Sequence, residues 1–304
     1  MNPRLECSIG IIVHNEASNI GKLIQALLDQ KLQEVSLKEI IVVSSASTDG
    51  TDDIVRKYQD QYQQIKLITE TERRGKSAAI NKFIKAATTE LLVIESGDTI
   101  PAAETVEKLI SPFLNPEIGM TGGRPVPEND PITLIGYSVN LLWRLHHRMA
   151  LIRPKLGEMV AFRKLFEKIP EKSAVDEASI EAIIQEKNLQ LKYIPQAIVY
   201  NKGPENLSDF IKQRRRIAAG HIWLQQVQNY EVSSQKGNIL LNLTIAELKS
   251  NFRQFPKLLF TMLIEIYSRL LGWYDLKIRK RNPFKWEIAA STKKLEHNGN
   301  KSEN

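Results

Sequence analysis

EIIVVSSASTDGTDDIVRKY, residues 39 to 58, runs from a buried strand straight into a helix. Ile40–Val43 is short, β-branched and free of polar alternation, the pattern of a strand covered on both faces. Thr51 then offers a cap, and Asp52 and Asp53 place negative charge in the first turn of a helix expected over Asp52–Tyr62. The unit recurs on either side. Ser8–Val13, Ile65–Ile68 and Leu91–Ile94 are apolar runs of the same kind, and Ala17–Leu28 and Ser77–Ala87 carry apolar residues at helical spacing. Such units with short joints imply an α/β fold, a mostly parallel Rossmann-like sheet flanked by helices and joined by right-handed crossovers. Ligands of these sheets bind at the carboxyl ends of the strands. That rule lines up His14, Asn15, Glu16, Ser44, Ser45 and the segment from Glu95 to Asp98 along one rim.

The 304 residues suffice for a large core, and 42% hydrophobic with 25% charged residues is an ordinary globular balance. One cysteine, Cys7, excludes an internal disulfide and reads as a small core residue of the first strand. A net charge of +7 and a pI near 9.3 point towards anionic partners: phosphate groups, anionic lipid or nucleic acid. MNPRLECSIG holds no apolar signal core, so the expected location is cytoplasmic, with attachment to the inner face of the cell membrane as a variant of it.

VIESGDT (93–99) carries Glu95 and Asp98 off the end of a buried strand. Carboxylates at that place suit magnesium or manganese, which prefer oxygen donors and share their shell with substrate phosphates. The plainer role for Asp98 is to open a turn into a helix over Pro101–Leu109. ERRGKSAAIN (72–81) brings Arg73, Arg74, Lys76 and Gly75 to another helix start, a ready site for a diphosphate. Gly75-Lys76-Ser77 is not a P-loop, because the first glycine of that motif would fall on Glu70. VDEASIEAII (175–184) places adjacent acids at a further helix start, where they serve either a proton transfer or the helix dipole.

IIVHNEASNI, IIVVSSASTDGT, ERRGKSAAIN, VIESGDT, GEMVAFRK, DEASIEAII and QRRRIAAGH, taken in order over roughly residues 7 to 225, resemble the family 2 glycosyltransferases of the GT-A fold. The resemblance implies inverting transfer of a sugar from a nucleotide diphosphate donor, assisted by Mg2+ or Mn2+. ESGD stands where the family has D-x-D, so Asp98 inherits the metal-ligand role, with Ser96 in place of the first aspartate. Glu177 aligns with the catalytic base, and Asp176 with its neighbour and alternative. Gln213 and Arg216 match the Q-x-x-R-W motif and would steady the leaving diphosphate, although Ile217 replaces the tryptophan. Ser44 and Ser45 stand where many members have nucleotide-binding aspartates, which leaves Glu16, Ser45, Arg74 and Lys76 as the remaining donor contacts. Asp49 is expected to organise its loop, and GEMVAFRK (157–164) to floor the acceptor side, Gly157 allowing close approach. His146, His147 and His221 are expected to be structural.

The resemblance implies a GT-A catalytic domain over 1–230, apolar spacing beyond it reads as a helical extension over 231–292, and composition as a disordered polar tail over 293–304. In the extension, Phe255, Leu258, Leu259, Met262, Leu263, Ile266 and Leu270 recur at helical spacing, with Lys257, Thr261 and Glu265 opposite. KIRKRNPFKW (277–286) follows, its cations lying near Trp273, Tyr274, Phe284 and Trp286. An amphipathic helix of this kind either packs on the catalytic domain or lies on an anionic membrane surface. The expected partners are a UDP- or GDP-sugar and a glycan or lipid-linked acceptor. A sugar-phosphate nucleotidyltransferase would show a glycine-rich loop where this chain has HNEASN, and a nucleic-acid binder would leave the rim carboxylates without a role.

Overall fold

The computed structural model describes residues 4–232, 237–250 and 252–281. Its first half is the expected alternation: β1 (Leu5–Val13), α1 (Ile20–Leu28), β2 (Val35–Ser45), α2 (Thr51–Gln61), β3 (Ile65–Glu70), α3 (Lys76–Ala86) and β4 (Leu91–Ser96). β1 pairs in parallel with β2 and β4, and β2 with β3. Successive residues of these strands enter opposite cores. Ile9, Ile11, Ile40, Val42 and Val93 pack under α1, α2 and the later helix α4 (Thr105–Ile110). Ile12, Ile41, Val43, Leu92 and Ile94 pack against Ile80, Phe83 and Ile84 of α3. Both faces are covered, which is why the strands carry no polar alternation. Burying one such side chain contributes about 1.5–3 kcal/mol. Cys7 is a fully buried, unbridged member of the same core.

The remaining elements are β5 (Thr99–Pro101), β6 (Ile118–Pro127), α5 (Leu134–Ile152), β7 (Val160–Arg163), α6 (Asp176–Glu186), β8 (Gln190–Asn201), α7 (Leu207–Gln228), α8 (Gly237–Ser250) and α9 (Phe255–Lys277). The described strands form one sheet in the order β3-β2-β1-β4-β7-β6-β8-β5. β7 runs antiparallel to β4 and β6, β8 parallel to β6, and β5 antiparallel to β8. The parallel half therefore ends at β4, whose tip carries VIESGDT. The helix expected from Pro101 begins instead at Thr105, and Pro101 ends β5. A strand at the sheet edge tolerates a residue that has no N–H to donate.

α9 does pack on the catalytic domain, but with the opposite face inward from that of an ordinary amphipathic helix. Leu258, Thr261, Glu265, Ser268, Gly272 and Asp275, spaced alternately by three and four, are buried. Ser138 and Thr261 share a hydroxyl hydrogen bond of 2.8 Å. Arg214 of α7 donates to both oxygens of Glu265 at 2.7 Å, and Arg215 grips Asp275 with both nitrogens. A Cβ on Gly272 would lie 2.4 Å from the Arg215 carbonyl, so glycine is what lets the two helix backbones meet. No described helix is long and apolar enough to cross a membrane. Phe284, Trp286 and the tail over 293–304 lie outside the described residues.

Candidate active site

The loops after β1 and β2 are tied together before any ligand arrives. Asn15 Oδ1 accepts from the Thr48 amide at 2.8 Å, and the Glu16 amide donates to Thr51 Oγ1 at 2.8 Å. Asp49 accepts from the Ala17 amide and from both donors of Thr51, so it organises the loop as expected. His14 Nδ1 donates to the Ser45 carbonyl at 2.7 Å. The turn after β4 lies directly on this assembly. A Cβ on Gly97 would sit 2.6 Å from Val13 and 2.8 Å from the Glu16 side chain. Glycine is thus required at the centre of ESGD, and it sends the two acids to different places.

Glu95 turns into the protein, with no exposed surface. Thr99 Oγ1 donates to its Oε1 at 2.5 Å, and its Oε2 has no hydrogen bond among the described residues. Burial pushes its carboxyl up to about 8, with repulsion from Glu158 and Asp98 adding to the effect. Burial thus favours the protonated form of Glu95 near neutral pH. The native state keeps a proton that the unfolded chain releases above its ordinary value of 4.5, so this group costs stability as pH rises from 4.5 to about 8. Glu95→Gln is expected to gain stability over wild type across that window and to hold the gain above it. Urea midpoints at pH 5 and pH 8.5 measure it, and a difference independent of pH would show that Glu95 is not the buried acid described.

Asp98 reaches a cavity of about 1320 Å3 formed by strand ends of the sheet and by α5 to α9. Glu16, Ser45, Lys76, Asp176, Glu177, Gln213 and Arg216 line it as well. Ser45 Oγ has no hydrogen bond among the described residues, which leaves it available to a ligand. Arg74 does not reach the cavity. It pairs with Glu171 on the exposed surface at 3.2 Å, and its neighbour Arg73 lines the cavity instead.

Lys76 is clasped by the acid pair rather than offered to a diphosphate, lying 2.9 Å from Asp176 and 2.8 Å from Glu177. Burial works against its charge, yet the two carboxylates outweigh burial and raise its pKa. The two acids differ in environment. Asp176 is 1% exposed and also accepts from Ser77 Oγ at 3.3 Å, and its burial raises its pKa. Glu177 keeps 20% of its side chain exposed, and Lys76 overcomes the burial effect to hold it ionised. Arg216 faces the same group: burial draws its pKa down to about 10, against the pull of Asp176, Glu177, Glu158 and Asp98.

Three lining residues escaped the sequence reading. Glu158 stands in the left-handed region at φ 59°, a conformation costing about 1–3 kcal/mol in a non-glycine residue and typical of functional loops. Burial, followed by Asp98 and Glu177, pushes its carboxyl up to about 7. Glu181, one turn beyond Glu177, accepts from the Leu156 amide at 2.7 Å and from Tyr230 at 2.8 Å. Its i, i+4 relation to Glu177 was the available signal. Lys155 is drawn down to about 8 by burial, with Arg214 adding to the effect. His147 bonds the Tyr193 hydroxyl at 2.9 Å, a structural contact. His221 and His146 line the cavity, and the charges acting on His221 are those of Lys155, Arg214, Arg269 and Glu265 rather than the Asp98 group.

Among the described residues, no cluster of three or more His, Cys, Asp or Glu is close enough to hold a metal by itself. Asp98 and Glu158 nevertheless repel one another in one cavity. That donor set fits a hard divalent ion whose remaining ligands come from a substrate diphosphate.

The family model for glycosyl transferase family 2 matches residues 8–180, and the chain belongs to that family. Among curated proteins it is 32% identical over 116 residues to glycosyltransferase AglE of Haloferax volcanii, 38% of either chain. It is 25% identical over 230 residues to the probable glycosyltransferase YdaM of Bacillus subtilis, covering 70% of this chain and 54% of that one. A poly-beta-1,6-N-acetyl-D-glucosamine synthase of Staphylococcus epidermidis matches at 25% over 219 residues, 68% of this chain and 52% of that one. The chain spans about half the length of these curated relatives, or less. Among solved structures, mannosyltransferase PcManGT from Pyrobaculum calidifontis, in complex with GDP-Man and Mn2+, gives a TM-score of 0.61 at 21% identity over 93% of this chain and 82% of that one. Glucosyl-3-phosphoglycerate synthase from Mycobacterium tuberculosis, in complex with Mn2+, UDP and phosphoglyceric acid, gives 0.50 at 17% over 73% and 78%. The shared feature at these identities is the GT-A fold.

Proposed function

We propose that the chain transfers a sugar, with inversion, from a UDP- or GDP-sugar to a hydroxyl of a glycan or lipid-linked acceptor. The carrying observation is the convergence of Asp98, Glu158, Asp176 and Glu177 on one cavity, opposed by Lys76 and Arg216. Glu16 and Ser45, which line the cavity at the ends of β1 and β2, would meet the nucleotide, and Arg73 would take the donor-side role expected of Arg74. Arg216, with Gln213, holds the diphosphate as its negative charge grows. Glu177 accepts the acceptor's proton while the hydroxyl oxygen bonds to the anomeric carbon. The bond from that carbon to the diphosphate oxygen breaks on the opposite side, its electron pair leaving with the nucleoside diphosphate. Asp98, with Glu158, would hold Mg2+ or Mn2+, which neutralises charge on the departing diphosphate.

The complexes of two structural neighbours with Mn2+ and GDP-Man or UDP support a metal-dependent nucleotide-sugar donor. Leu142, Trp143, Met149 and Met262 give the cavity an apolar reach suited to a lipid-linked acceptor, and such an acceptor would put the chain at a membrane surface, on its cytoplasmic face. Calorimetric titration of UDP and GDP, with and without Mn2+, tests the donor half. One nucleotide is expected to bind at least tenfold tighter with the metal, and equal binding of both without any metal effect would count against the proposed site.

A further inference from the structure

The outward face of α9 combines two features that neither packing nor solubility requires. Leu259, Leu263, Ile266, Leu270 and Trp273, spaced by four and three, are 44% to 61% exposed, with Tyr267 and Tyr274 beside them. Leu241 and Ile245 of α8 and Phe252 of the connection are exposed too. Between residues 237 and 281 the acids are Glu247, Glu265 and Asp275. All three are buried and paired, Glu247 with Arg144 and Arg148, Glu265 with Arg214 and Arg269, and Asp275 with Arg215. Of the eight cations of the same stretch, Lys257 donates to the Ile132 carbonyl and Arg269 to Glu265, while the other six face the other way. Lys249, Arg253, Lys277, Arg279, Lys280 and Arg281 are exposed, and the Arg279 guanidinium lies 5.3 Å over the Tyr274 ring. The fold has thus turned every carboxylate of the segment inward and left apolar and most cationic groups outside.

We infer that this face seats the protein on an anionic lipid bilayer. The large side chains enter the boundary between headgroups and acyl chains, Trp273 and Tyr274 lie at headgroup level, and the 277–281 cations pair with lipid phosphates. A second protein surface would match an apolar stripe equally well, but the complete removal of negative charge complements a surface that is itself uniformly negative. The same helices border the active cavity. Met262, Ile266, Leu240 and Leu241 line it, so a lipid-linked acceptor held in the bilayer meets the cavity from this side. The inference deepens the peripheral location proposed above and rests on it, but not on the transfer chemistry.

Flotation of the full chain with vesicles, without donor or metal, tests the surface apart from activity. Binding to phosphatidylglycerol-containing vesicles is expected, with far weaker binding to phosphatidylcholine alone. It should weaken in 1 M salt, where screening shortens to about 3 Å, without vanishing. Leu263→Glu with Leu270→Glu should lower the vesicle partition on the order of a hundredfold. Leu114→Glu, another exposed leucine, is the control expected to bind like wild type. Far-ultraviolet circular dichroism and thermal melting establish that each variant is folded. Absence of binding by the folded wild-type chain, or binding insensitive to the double variant, overturns the inference. A dimer seen by light scattering and abolished by the double variant also overturns it, assigning the face to a second copy of the chain. Flotation with no sugar transfer would leave this surface standing and count against the transferase mechanism alone.

Discussion

Glu177→Gln is expected to lower kcat by about 10²–10⁴-fold, the usual contribution of a positioned general base, while nucleotide affinity stays within about twofold. The substitution preserves shape and a polar contact to Lys76 Nζ, now 2.8 Å from Oε1, and removes only the ability to take a proton. Because Lys76 holds the Glu177 pKa below the ordinary glutamate value, wild-type activity should be lost only on acidification through that depressed value. That acidic limb should disappear from the residual activity of the variant. Asp176→Asn is the discriminating comparison. Its carboxylate is 1% exposed and bound by Lys76 and Ser77, so its loss should lower stability and disturb Lys76 more than it alters proton transfer. If Asp176→Asn removes the acidic limb and Glu177→Gln keeps it, the two roles are reversed.

The parallel half of the fold was legible because one physical condition, burial on both faces, produces uninterrupted apolar runs. Leu91–Ile94 and Ile40–Val43 show this without ambiguity, and both are strands. The β4–β7–β6 reversal was not legible. β7 is only Val160–Arg163, and its register is set by partners far away in sequence. Pro101 misled by a local rule: proline often starts a helix, but here a sheet edge needed no donor at that position. Cavity-lining residues were visible where a motif reaches the cavity directly, as Asp98 and Glu177 do. Arg73 and Arg74 differ only in which side of the turn before α3 they leave, a distinction that residue type does not encode. Glu158 depends on a left-handed backbone position and on burial, neither of which the stretch RPKLGEMV (153–160) reveals.

The C-terminal helix shows the same limit at larger scale. Periodicity correctly marked an apolar face and a polar one, but not which of them the catalytic domain would take. Arg214 and Arg215 decided it, since two buried carboxylates on α9 satisfy two arginines of α7 that would otherwise lie uncompensated. Breaking one such buried pair costs about 3–5 kcal/mol, more than the burial of a single leucine returns.

Asp98→Ala is expected to abolish the Mn2+-dependent part of nucleoside diphosphate binding and to lower kcat/KM by about 10³-fold or more, as loss of several kcal/mol of charge stabilisation requires. The turn built by Gly97 fixes Asp98 against the end of β1, so no neighbouring carboxylate replaces it without moving backbone. Ser96 lines the same cavity but offers a neutral hydroxyl, and Glu95 is turned into the core. Glu158 remains after the substitution, and burial, the largest cause of its raised pKa, persists there, so it is a poor sole ligand. The same like-charge crowding predicts an opposite effect on the fold. Without metal, removing Asp98 relieves repulsion on Glu158 and should raise Tm by about 2–4 °C, the shift that 1 kcal/mol produces in a chain of this order of size. A variant more stable than wild type, yet blind to Mn2+ in calorimetry, is the pattern of a carboxylate kept for its cation. Unchanged metal dependence in a folded Asp98→Ala protein would instead return Asp98 to the role of a turn residue and shift the search for the metal ligands to Glu158 and its neighbours.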